Sequence, residues 1–296
     1  MKSTRKRVLT AFCTVLAVVT VIFLIYRWDE QINGSNTRPV IECPTYPLRI
    51  SVAALDNTEL LLHDVTASDR EDGDVTSGIV VESISQFVEQ GHCLITYAAF
   101  DSGNRVAKAT RHLYFTDYTP PVFEITAPLE FSYSTSFTPL SCVKAFDCID
   151  GDISNRVKMT LLNPDDEINT LGAHNVEFTV TNSMGDVSRL TAEVVVYDRT
   201  YTEQRMIPAI TLSKYLVYVE PNMYMDFLSL VETIGVAGQK YEPAEFEERI
   251  GKLTVDVGGF DANVPGTYRV LYTCENGDYI GSAVLIAVVK GAETDG

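Results

Sequence analysis

Aspartates are the residues of this chain best placed to do chemistry, because they recur in one spacing. Asp69, Asp72 and Asp74 lie in the run Asp69-Arg-Glu-Asp-Gly-Asp-Val-Thr76, and Asp147, Asp150 and Asp152 lie in Asp147-Cys-Ile-Asp-Gly-Asp-Ile-Ser154, 78 positions later. Carboxylates alternating around a glycine offer hard oxygen ligands, the type that Ca²⁺ collects in a flexible shell. The same run also reads as a turn whose Asp side chains cap backbone N–H groups ahead of a strand. Both readings stay open here: six candidate calcium ligands, or six turn caps. The twelve-residue loop and closing bidentate Glu of the helix-loop-helix calcium site are missing from both runs.

Cysteine and histidine offer less. Of six cysteines, Cys13 sits in an apolar stretch, and Cys43, Cys93, Cys142, Cys148 and Cys274 make an odd remainder, so at least one of these has no partner within the chain. Cys142 and Cys148 flank five residues and form the candidate disulfide, while Cys43 could reach Cys93. Cys93 and Cys274 fall inside strand patterns, where a buried thiol is the default. His63, His92, His112 and His174 show no metal-ligand spacing, and His92 and His174, beside turn glycines, are expected on surface loops. No nucleophile elbow, phosphate loop or dinucleotide fingerprint occurs, and Gly235-Val-Ala-Gly-Gln-Lys240 lacks the spacing of one. The chain is expected to be non-catalytic. With 40 acids against 23 bases and a net charge of −17 it has no basic face for phosphate, so nucleic acid is excluded as an expected partner.

The elements that must hold these residues are strands. Gly91-His-Cys-Leu-Ile-Thr-Tyr-Ala-Ala-Phe-Asp101-Ser-Gly-Asn104 returns as Gly172-Ala-His-Asn-Val-Glu-Phe-Thr-Val-Thr-Asn182-Ser-Met-Gly185, offset by 81. A divergent third copy, Val264-Pro-Gly-Thr-Tyr-Arg-Val-Leu-Tyr-Thr-Cys-Glu-Asn-Gly277, follows at a further 94 without the acidic run. Alternation such as Val176, Phe178, Val180 and Tyr268, Val270, Tyr272 has the period of two that marks half-buried strands. Gly91, Gly172 and Gly266 are expected at φ > 0 ahead of these strands. Tyr97, Phe178 and Tyr272 are expected as core rings. The only helix expected beyond the amino terminus is a turn around Ala244–Arg249, with Glu247 and Glu248 on its wet face. Pro120-Pro121 and Asp198–Tyr201 are short junctions, which predicts semi-rigid neighbours.

The pattern D-x-x-D-G-D-[VI]-[TS], then G-x-x-x-[IV]-x-[YF]-x-x-x-[DN]-S and a Thr-Pro-Pro junction, resembles bacterial immunoglobulin-like modules of the type first described in pesticidal crystal proteins, related in appearance to hyalin repeats. The resemblance covers about residues 38–290. It implies an all-β fold of tandem immunoglobulin-like β-sandwiches, used on bacterial surfaces as spacers and as adhesive or carbohydrate-associated units.

The amino terminus implies a location. Lys2, Arg5, Lys6 and Arg7 precede residues 8–26, which carry no charge. As a helix these rise roughly 28 Å, close to the hydrocarbon thickness of a bilayer. Basic residues before the span keep that end in the cytoplasm, and no small-x-small cleavage site follows, so the span reads as an uncleaved single-pass anchor in the cell membrane. The expected plan is a basic tail at 1–7, a transmembrane helix at 8–26, a linker at 27–37, immunoglobulin-like domains at 38–118, 119–200 and 201–291, and a tail at 292–296. The expected role is a spacer and adhesion stalk facing a protein or cell-surface carbohydrate partner, with distal contacts around Tyr218–Tyr224. The alternatives are an accessory subunit of a membrane complex and a Ca²⁺-stiffened spacer without a specific ligand.

Overall fold

The computed structural model describes residues 14–28 and 37–291. The basic tail, the first part of the expected span, most of the linker and the tail at 292–296 lie outside the described residues. Residues 14–28 are helical, with Val15, Leu16, Val18, Val19, Ile22, Phe23, Leu24 and Ile25 all exposed, so the helix is apolar around its whole circumference. Among the described residues no helix is long and apolar enough to cross a membrane, and the transmembrane expectation finds no support in this part of the chain. Thr20 Oγ1 donates to Leu16 O at 2.6 Å, which ties up the polar hydroxyl within the helix itself.

Residues 37–291 are mainly strands joined by turns and short helices, in three repeats of one topology. The first comprises β1 (Val40–Glu42), β2 (Leu48–Ile50), β3 (Thr66–Asp69), β4 (Gly73–Asp74), β5 (Val80–Ile84), β6 (His92–Phe100) and β7 (Val106–Phe115). The second comprises β8 (Val122–Ile125), β9 (Glu130–Ser132), β10 (Val143–Asp147), β11 (Gly151–Asp152), β12 (Lys158–Leu161), β13 (Gly172–Thr181) and β14 (Val187–Tyr197). The third comprises β15 (Ala209–Leu212), β16 (Leu216–Val219), β17 (Val231–Val236), β18 (Gln239–Tyr241), β19 (Lys252–Asp256), β20 (Gly266–Asn276) and β21 (Tyr279–Val289). Each repeat forms a three-stranded sheet, β1-β3-β4, β8-β10-β11 or β15-β17-β18, and a four-stranded sheet, β2-β7-β6-β5, β9-β14-β13-β12 or β16-β21-β20-β19. In each, the second strand lies parallel to the last while the other pairings are antiparallel. The fold is therefore a set of tandem all-β sandwiches, and the divergent third copy keeps the strand order of the first two.

Side-chain alternation explains the layers. On β13, His174, Val176, Phe178 and Val180 point inward, and on β14 Leu190, Ala192, Val194 and Val196 meet them across the pleat. The rings of Tyr97, Phe178 and Tyr272 are fully buried at equivalent places on β6, β13 and β20. Gly91 and Gly172 have φ of 72° and 131°, as expected. Gly266, which begins β20 opposite Val289, is not in the left-handed region, contrary to expectation.

Three short helices punctuate the strands: α1 (Thr58–Leu61), α2 (Tyr201–Met206) and α3 (Pro243–Arg249). α3 is the expected turn, and it exposes Glu247 and Glu248 while burying Phe246. The other two were not anticipated, yet each has a local cause. Asn57 Oδ1 accepts Leu60 N to start α1, and Thr200 with Glu203 forms a reciprocal capping box at α2.

The chain divides into two compact units, Met1–Thr116 and Asp117–Gly296. In the second unit, buried side chains from 123 to 289 form one continuous apolar cluster that takes in both sandwiches. The junction at 198–208 is part of this packing. Ala237 N donates to Arg205 O, Asn276 Nδ2 donates to Met206 O at 3.0 Å, and Gly281 passes so close to Pro208 that a Cβ there would fall 1.8 Å from its carbonyl oxygen. The second and third modules are thus one packed body, more firmly joined than a semi-rigid hinge.

Candidate functional site

The two acidic runs fold into the same object. Asp69 Oδ1 accepts Glu71 N and Asp72 N at 2.9 and 3.1 Å, and Asp147 Oδ1 accepts Ile149 N and Asp150 N, both at 2.9 Å. Asp74 Oδ1 accepts Thr76 N, and Asp152 Oδ1 accepts Ser154 N, each at 2.9 Å. The middle aspartate reaches across the sandwich. Asp72 accepts the N–H and Oγ–H of Ser102 at the β6–β7 tip, and Asp150 accepts those of Ser183 at the β13–β14 tip and also pairs with Arg156. Gly73 and Gly151 turn the chain with φ of 74° and 71°, a backbone that a side chain would strain.

These bonds shift the acids in the way a cap requires. The Asp72 amide leads in holding Asp69 below the usual carboxylate range, and the hydroxyls of Thr76 and Ser154 do the same for Asp74 and Asp152. Burial opposes ionisation of Asp150, but Ser183 and Arg156 outweigh it and lower its pKa. The turn-capping geometry is realised in both repeats, with the first and third aspartates aimed at amides of their own turn and the middle one at the serine across the sandwich. Among the described residues no three His, Cys, Asp or Glu side chains are grouped to hold a metal ion.

The copies also differ beside this turn. Asn182, buried beside this turn, donates from Nδ2 to Asp147 Oδ2 at 3.0 Å and to the Tyr118 hydroxyl at 2.9 Å, while its Oδ1 accepts Asp186 N. The corresponding residue of the first copy is Asp101, whose carboxylate accepts Arg105 N and Nε. Asp101 carries no amide N–H, and among the described residues Asp69 Oδ2 is buried without a partner.

The cysteine and histidine expectations need correction. All five described cysteines are free. Cys142 is buried in the turn just before β10, whereas Cys148 is exposed and its thiol donates to Thr119 O, so the 142–148 bridge does not form. Cys43 and Cys93 are likewise unbridged. Burial pushes the thiol pKa of Cys93 up to about 11 and that of Cys274 up to about 12, making both inert apolar groups. His92 and His174 are buried in strands, not set on surface loops. His174 Nδ1 lies 2.8 Å from Asp166 Oδ1 and Nε2 lies 2.8 Å from Thr170 O. These two contacts give both ring nitrogens a partner inside the fold. His92 stacks on Tyr114 and meets His112 Nδ1 at 2.9 Å, leaving its own Nδ1 unpaired.

A concavity with mixed chemistry lies inside the second unit, where β9 and the end of β14 meet the α2 junction. It encloses about 570 Å³. Hydroxyls of Ser132, Ser134 and Thr135 line it, with Tyr197, Arg199, Gln204 and the carboxylate of Glu130. The Arg199 guanidinium lies over the Tyr197 ring, 4.0 Å from its centroid, so its plane is fixed. Glu130 is only 20% exposed, its cation partner Arg199 stands 4.0 Å away, and its carboxylate accepts no hydrogen bond from a described residue. Burial raises the Glu130 pKa, with Arg199 and Arg269 opposing and Glu193 reinforcing the shift. Two further contacts fix the walls of this junction: Tyr218 Oη accepts Phe123 N at 2.9 Å, and Arg269 pairs with Glu193 at 3.3 Å. Tyr218, expected as a distal contact, is therefore bound at the junction, while Met223 and Tyr224 do remain exposed.

No protein-family model matches the chain. It is 29% identical over 171 residues to an uncharacterized 81.3 kDa protein of Acholeplasma phage L2, a match spanning 58% of this chain and a fifth of that relative. Among solved structures, the M60 catalytic domain with the CBM51-1 and CBM51-2 domains from Clostridium perfringens ZmpB aligns with a TM-score of 0.26 and 12% identity, over 86% of this chain and 44% of that one. Mouse cadherin-23 EC22-24 aligns at 0.20 and 13%, over 86% and 99% of the two chains. The lipoprotein BT2262 from Bacteroides thetaiotaomicron aligns at 0.22 and 16%, over 56% and 98%. At these scores the likenesses carry no argument about what this chain does.

Proposed function

We propose that the protein is a non-catalytic stalk, held at the outer face of a bacterial membrane by its amino-terminal helix and presenting tandem β-sandwiches as a spacer and binding surface. The observation that carries this reading is the repetition itself. Three modules share one strand order, and the last two are fused through one core, which is how a chain builds length and stiffness from a single fold. The membrane attachment in this reading rests on the sequence alone, on the uncharged run of residues 8–26 that follows Lys2, Arg5, Lys6 and Arg7. The acidic turns supply rigidity in this reading, without requiring Ca²⁺.

The test is protease treatment of intact cells carrying the protein with a carboxyl-terminal epitope, alongside attachment of the purified full-length chain to cell-wall material and to other cells. Loss of the epitope together with measurable attachment supports the stalk. An epitope sheltered until the cells are lysed overturns it.

A further inference from the structure

We propose that the groove between β9, the end of β14 and α2 binds a neutral oligosaccharide, an inference that rests on the reading of the chain as a binding stalk and names the ligand class. Its volume of about 570 Å³ falls in the range of small-molecule sites. The walls are set before any ligand arrives, since β9 is held parallel to β14 and the 198–208 junction is pinned to the third module through Arg205, Met206 and Pro208. A preformed groove spares the ligand the cost of ordering the protein.

The lining selects the ligand by what it offers and what it rejects. Glu130 keeps free acceptor lone pairs, because its cation partner stands off at 4.0 Å. Arg199, flat on Tyr197, presents N–H donors in a fixed plane. The Ser132 and Ser134 hydroxyls share one hydrogen bond at 2.9 Å and Thr135 Oγ1 donates to Ser132 O at 3.1 Å, which leaves one serine proton and the hydroxyl lone pairs for a ligand. Donors and acceptors interleaved in this way match the hydroxyls of a sugar, each of which does both. A net cation would meet Arg199 and a net anion would meet Glu130, whereas a neutral polyol leaves neither charge opposed. A lipid or other purely apolar ligand would leave Glu130 buried without a partner, at the cost of its desolvation.

The experiment is calorimetric titration of the full-length chain with tetrasaccharides of N-acetylglucosamine, glucose and mannose, and with a Val-Thr repeat octapeptide that could add to the free edge of β9. Saturable binding of at least one sugar is expected. Glu130→Gln should weaken it about tenfold or more through loss of a charge-assisted hydrogen bond. Ser134→Trp, at an exposed position, should abolish it by filling the groove, with the melting temperature of both variants unchanged. Binding of no sugar, binding of the peptide alone, or sugar binding unaltered in both variants would overturn the proposal. If those failures accompany intact attachment of the chain to cells, the stalk reading survives and only the groove assignment falls. If attachment also fails, both fall together.

Discussion

Asp150 shows at the residue scale how these modules convert sequence into stiffness. A single carboxylate takes two donors from Ser183 and one from Arg156, joining the β10–β11 turn to the tip of the β13–β14 hairpin in the facing sheet. Asp150→Ala removes three bonds to an ionised group and should cost about 1–3 kcal/mol, read as a lower midpoint in urea. Asp150→Asn should recover only part of the loss. The four depressed acids of the two acidic turns set a direction for pH. Asp69, Asp74, Asp150 and Asp152 are more acidic folded than unfolded, so their contribution is complete above about pH 4 and drains away as pH falls through their folded values. Melting temperature measured from pH 6 downward should stay level and then fall steeply below about pH 4, with a shallower fall when Asp74 and Asp152 are both replaced by Asn. Asn182→Asp is the sharpest test of the difference between copies. It would face Asp147 Oδ2 with a carboxylate in place of a donor, reproducing the first copy without its Arg105, and should destabilise by about 1–3 kcal/mol at neutral pH.

The element scale shows which features can be read from residue order and which cannot. Hairpins β6–β7, β13–β14 and β20–β21 were legible because alternation and the glycine-to-tyrosine spacing are local signals. The [DN]-S pair of that same repeat already marked Ser102 and Ser183, although their bond to the acidic turn emerges only once the two sheets close. The capping box Thr200-Tyr-Thr-Glu203 is a local helix-start signal as well, although the segment also reads as a junction. His174 was misplaced for a different reason. Its neighbouring glycine suggests a loop, but the residue lies within the β13 ladder, and the burial comes from the 162–171 segment folding over it to supply Asp166 and Thr170. The tyrosine hydroxyls follow the same logic: Tyr97 donates to Leu61 O and Tyr272 to Phe227 O, each at 2.8 Å, while Phe178 at the equivalent place has no hydroxyl. Each bond ties a buried ring to the loop that crosses the sandwich end. Tyr97→Phe and Tyr272→Phe should each cost about 1–3 kcal/mol by stranding a buried carbonyl, and hydrogen exchange should speed up around residue 61 or 227 rather than across the sheets.

At the scale of the whole molecule, what the sequence could not disclose is the union of the second and third modules, because it depends on surfaces that are far apart in the chain. The groove is a product of that union, which explains why none of its residues stood out as a site. Two substitutions probe the union from the third module. Gly281→Ala would drive a methyl group into the Pro208 carbonyl, and since the obstacle is backbone the junction must move off β21. Ile286→Ala removes a buried side chain that lines the boundary with Leu129, Val195 and Tyr215, where a void of about 30 Å³ already lies, and should cost about 2–5 kcal/mol. Because one apolar cluster runs through both sandwiches, that loss should lower the unfolding free energy of β12 and β13 as well as of β20 and β21. Hydrogen exchange followed by mass spectrometry resolves the two regions. Loss of protection in the second module, which carries no substitution, is the expected result, while protection falling only in the third would mean that the shared core does not couple the two sandwiches.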